Sequence, residues 1–73
     1  MEQKTRLDIM REELKKLMEE RKKAQREKGE SAEYNKDLRE NADYDYWLHR
    51  EMALTYRIRK LTAEIQDVYD KKA

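Results

Sequence analysis

The chain has 73 residues with 18 Lys/Arg, 17 Asp/Glu and one histidine; charged residues make up 48% of it, and cysteine, proline and phenylalanine are absent. Disulfides and thiolate metal sites are thereby excluded, and His49 alone makes no zinc cluster. A length that allows one small domain, rich in helix formers and poor in helix breakers, points to an all-α fold whose core is thin for its size.

In chain order, Leu7, Met10, Leu14, Leu17, Arg21 and Ala24 fall on alternating spacings of three and four. This is a heptad seam, and it predicts a first helix over about residues 3–35. Toward its end the seam turns polar at Arg21, Lys28 and Ser31. Gly29 lies within this stretch and costs roughly 1 kcal/mol relative to alanine, so two outcomes stay open: a continuous helix, or a break near residue 29. A tip over about residues 36–41 is followed by a second helix over about 42–71. There Tyr44, Trp47, Glu51, Leu54, Ile58, Leu61, Ile65 and Val68 keep the heptad rule without interruption.

Folding the halves antiparallel about residues 37–40 sets Leu17 near Leu61, Leu14 near Ile65 and Met10 near Val68. The same register brings Lys28 to Glu51, so a cation in one seam meets an acid in the other. The expected architecture is an antiparallel two-helix coiled-coil hairpin, with arms of about 45 Å for roughly thirty residues each. Charge is uneven along it. Residues 1–28 hold ten Lys/Arg and seven acids, residues 29–51 three and seven, residues 52–73 five and three. The hairpin then has an acidic tip and a basic base, unlike a uniformly basic nucleic-acid clamp. No apolar run approaches a membrane span or a signal-peptide core, so the expected location is the cytoplasm.

At the tip, Asp37 and Glu40 stand three residues apart. Read as residues, they support two roles: a capping box at the start of the second helix, or a pair of oxygen ligands for a hard cation such as Mg²⁺. Two carboxylates hold Mg²⁺ weakly, so the second role requires further ligands from a partner. Among the aromatics, Tyr44 and Trp47 belong to the seam, whereas Tyr46 lies off it near the tip and is a candidate for contact with RNA or protein. The basic runs Arg21-Lys22-Lys23 and Arg57-Ile58-Arg59-Lys60 read as solvated faces that lie at similar heights and could form one patch. His49 reads as a surface residue. No nucleophile, base and oxyanion arrangement is visible, so no enzymatic activity is expected of the chain alone.

The segment Asp37-Leu38-Arg39-Glu40-Asn41-Ala42-Asp43-Tyr44 resembles the tip of the Gre transcript-cleavage factors of bacterial RNA polymerase. Upstream EELKKL and downstream RIRKLTAEI resemble the matching segments of that family's two helices, without insertion or deletion between the blocks. The resemblance implies a coiled-coil hairpin that enters the polymerase secondary channel and brings Asp37 and Glu40 to the active centre. There they would help hold the second Mg²⁺ while the polymerase hydrolyses its backtracked RNA. Asn41 and Tyr44 would support the tip, and Arg39 and Tyr46 could contact polymerase or the nascent RNA 3′ end. The sequence departs from the family pattern in places. Lys36 stands where a glycine is usual, Glu33 and Leu48 stand about where basic residues are expected, and the globular FKBP-type domain that normally follows the hairpin is not expected within these 73 residues. Two alternatives accompany this: a channel-blocking regulator without cleavage activity, and a structural hairpin that self-associates. The expected state is a monomer or a weak homodimer.

Overall fold

A computed structural model describes residues 4–34 and 42–72. Helix α1 spans Arg6–Tyr34 and helix α2 spans Ala42–Lys72. Both lack proline, and Ile9 is the one β-branched residue in α1, so its 29 residues are almost all good helix formers. The helices pack against each other as an elongated hairpin 52 Å long.

The heptad seam is the core. Met10, Leu17, Ala24, Leu54, Ile58 and Leu61 are buried as one cluster, with Leu14, Trp47, Ile65 and Val68 packed half-buried against it. Arg21, Lys28, Ser31 and Tyr44, the polar members of the expected seam, are half-buried as well. The pairing is antiparallel. Lys28 Nζ lies 3.0 Å from Glu51 Oε2, while farther from the tip the Arg11 guanidinium sits 5.3 Å from the centre of the Tyr69 ring. The register read from the sequence is the one observed.

The Lys28–Glu51 pair is largely shielded, and the buried Oε2 has no directed hydrogen bond among the described residues, so its compensation is the ammonium charge. Replacing Lys28 by Met leaves that carboxylate in the seam without a counter-charge and is expected to cost about 1–3 kcal/mol. The double variant Lys28→Met/Glu51→Leu should regain most of it. Urea titrations of the wild type and both variants measure this, and a double variant no more stable than the single one would refute it.

Helix α1 runs unbroken through Gly29, which settles the choice left open by the sequence. Gly29 has no positive φ, and a Cβ there would meet nothing within 4 Å. Gly29→Ala is therefore expected to stabilise the hairpin by about 1 kcal/mol, seen as a melting temperature higher by roughly 4–8 °C.

The start of α1 corrects the expected boundary near residue 3, because Lys4 and Thr5 are outside the helix. Thr5 is its N-cap. The Asp8 backbone N–H donates to Thr5 Oγ1 at 3.1 Å, the Thr5 N–H donates to Asp8 Oδ2 at 3.3 Å, and the Ile9 N–H donates to the Thr5 carbonyl at 3.1 Å. This reciprocal capping box satisfies two backbone donors that a helix end otherwise leaves open. Lys4 adds an ion pair to Glu12 at 2.9 Å, and that contact raises the pKa of the lysine above its ordinary value. Thr5→Ala should cost about 1 kcal/mol by chemical denaturation, whereas Thr5→Ser should leave stability nearly unchanged.

Candidate functional site

The arms approach the tip with their geometry fixed close beneath it. Lys28 lies six residues, about 9 Å along the axis, from the end of α1 at Tyr34. Its pairing with Glu51 clasps the two helices there, and one turn further down Leu54 is almost fully enclosed at 1% exposure. Above the clasp, Asp43 and Asp45 occupy the first turn of α2, where the helix dipole favours anions, while the last turn of α1 carries no basic residue. The described part of the tip end is therefore acidic, as the charge distribution along the chain predicts.

Tyr44 is half-buried at the head of the α2 seam. Tyr46 is 58% exposed, and its ring meets Trp47 edge-on with centroids 4.9 Å apart. Trp47 thus packs into the seam on one side and braces Tyr46 on the other, which holds an exposed aromatic surface at the tip end. His49 is exposed, as expected of a surface residue. Glu33 is exposed and Leu48 half-buried. Asp37, Arg39, Glu40 and Asn41, the other residues singled out at the tip, and Lys36 lie outside the described residues. Among the described residues no group of three His, Cys, Asp or Glu side chains is placed to hold a metal ion.

The two basic runs do not form the single patch allowed by the sequence. Arg21 is half-buried in the seam. Arg57 and Lys60 line a groove with Glu13, Leu17 and Glu64 on one flank, whereas Arg59 lines a depression with Met52 and Thr55 on the other. Consecutive residues on a helix diverge by about 100°, so a basic run is dealt out to different faces. Sequence reasoning also missed the Thr5/Asp8 cap, whose T-x-x-D pattern stands just before the first seam residues, and the Glu20–Arg50 cross-arm pair at 3.5 Å.

With the hairpin and its acidic end in place, the chain can be compared with known proteins. The family model of the N-terminal domain of GreA/GreB transcription elongation factors matches residues 4–69. The chain belongs to the Gre family. The match covers both helices and the segment that joins them, so membership rests on the whole hairpin rather than on its tip. Searches of curated proteins and of solved structures each found no significant match. The Gre family acts in transcription elongation, which implies interaction with RNA polymerase in general. No helix among the described residues is long and apolar enough to cross a membrane.

Proposed function

We propose that this Gre-family hairpin enters the secondary channel of a bacterial-type RNA polymerase and stimulates hydrolysis of backtracked RNA by the polymerase itself. The observation that carries the proposal is the family match over residues 4–69, a span that includes Asp37 and Glu40. An elongated two-helix hairpin 52 Å long, with a cross-arm ion pair near the tip end, supports the reading.

The donor chemistry fits a hard divalent cation, since carboxylate oxygens are the ligands Mg²⁺ prefers. When bound, Mg²⁺ would activate a water or stabilise a leaving oxygen at the scissile phosphodiester. The chain's own part is to position: Asp37 and Glu40 supply two oxygen ligands, polymerase supplies the rest, and Asn41 and Tyr44 hold the tip in place. Arg39 and the exposed Tyr46 ring would make contact with polymerase or the RNA 3′ end. The hydrolytic chemistry belongs to the polymerase.

The test is a backtracked elongation complex with labelled RNA, incubated with Mg²⁺ and the chain. Endonucleolytic release of short 3′ fragments, faster than in the complex alone, is the expected result. Binding to polymerase without any gain in cleavage would replace the proposal with a channel-blocking regulator. Absence of binding would leave a structural hairpin.

A further inference from the structure

The heptad assigns every side chain to a flank. With the a positions at Leu7, Leu14, Arg21, Lys28 in α1 and Tyr44, Glu51, Ile58, Ile65 in α2, the e positions of both arms fall on one side of the hairpin and the g positions on the other. The structure bears this out. Arg11 and Tyr69, both e, stack across one side, while Glu20 and Arg50, both g, pair across the other.

The two flanks differ in charge. Over residues 9–30 and 46–69, the g and c positions mix five Lys/Arg with six acids, and there Arg50 is paired with Glu20 while Glu13 and Glu64 share a groove with Arg57 and Lys60. The e and b positions over the same residues carry Arg11, Lys15, Lys22 and Arg59 and no acid. All four are exposed, and Lys15, Lys22 and Arg59 have no ion pair among the described residues. Acids stand at its ends and edges: Asp8 and Asp45 at the b positions that bound it, Glu51 of the seam beside Met52 and Arg59, and, behind it at f positions, Glu12, which is engaged by Lys4, and Glu19 beside Lys15 and Lys22. Between the cations lie apolar groups. Met18 is 42% and Met52 61% exposed, and the Thr62 hydroxyl donates to the Ile58 carbonyl at 2.7 Å, so it is satisfied within its own helix.

We infer that the e/b flank is the face the hairpin lays against its partner, and that the partner surface is an acidic protein wall with apolar recesses for Met18 and Met52; the inference rests on polymerase being the partner. On the g/c flank cations and acids are interspersed and nearly cancel, so it offers an acidic wall as much repulsion as attraction. Lys15, Lys22 and Arg59 have no ion pair among the described residues to give up, and Arg11 keeps its contact with the Tyr69 ring. Flexible thioethers set between cations fit a protein surface, where they fill irregular recesses, better than a row of phosphates.

The test compares two triple charge reversals of equal net change: Lys15→Glu/Lys22→Glu/Arg59→Glu on the e/b flank, and Lys16→Glu/Lys23→Glu/Lys60→Glu on the g/c flank. All six positions are exposed, and circular dichroism checks that both variants keep their helicity. Affinity of the labelled chain for RNA polymerase is read by fluorescence anisotropy, and affinity for single-stranded RNA is read in parallel. The e/b reversal should weaken polymerase binding tenfold or more and the g/c reversal less than threefold, with Met18→Ser/Met52→Ser also weakening it. Equal losses from the two reversals would mean bulk charge alone acts and would overturn the inference while leaving polymerase as partner. An e/b reversal that abolishes RNA binding but spares polymerase binding would overturn it in favour of an RNA face. Lack of polymerase binding by the wild-type chain would remove the partner assignment and this inference together.

Discussion

Leu54→Ala is expected to destabilise the hairpin by about 2–5 kcal/mol, the largest effect of any single core truncation. Leu54 is 1% exposed, and its seam position faces the level of Ala24, which is 0% exposed. The substitution would set two alanines at one level of the core, and two helices tied by a charged clasp one turn away have little freedom to collapse into the gap. Stability of about 0.05–0.15 kcal/mol per residue puts the whole chain at roughly 4–11 kcal/mol, so the variant loses a large share of it. Thermal denaturation followed at 222 nm should show the midpoint lower by about 10–30 °C. A shift of only a few degrees would mean that the core is not where the buried cluster places it.

The second large effect concerns the tip. If Asp37 and Glu40 act as ligands, Asp37→Asn and Glu40→Gln should each lower stimulated RNA cleavage by on the order of 10²-fold while changing polymerase affinity by less than about threefold. Raised Mg²⁺ should restore part of the activity. The substitutions also separate the two roles open to these residues. Asparagine caps a helix about as well as aspartate, so an Asp37 that only caps should tolerate Asp37→Asn in stability and in activity. A ligand should not, because the neutral amide binds a divalent cation far less well. Retention of full cleavage by Asp37→Asn together with a melting temperature lowered by Asp37→Ala would reduce the pair to a cap.

Much of the fold was legible because a heptad seam is a one-dimensional signal. Alternating spacings of three and four set which residues are buried, and folding about residues 37–40 gave a register in which Lys28 of one seam meets Glu51 of the other. The family was legible for a related reason, since three blocks in step along a rigid rod leave no room for insertions. Gly29 was not decidable in this way: a glycine lowers helix propensity without fixing a break, and continuity was seen only in the fold, where α1 runs through it to Tyr34 with Lys28 and Ser31 half-buried on either side.

What the sequence determined by itself is the set of arms, the register and the acidic tip end, because each depends on spacing or on charge summed along the chain. Only the tertiary structure decided how the charges divide between flanks. Pairing two helices turns e and g positions into opposite sides, sends neighbouring residues such as Arg57 and Arg59 apart, and gathers both signs of charge on one side and mainly cations along the middle of the other. That division depends on which helix face meets the partner helix, a property of the assembled pair that neither arm carries on its own.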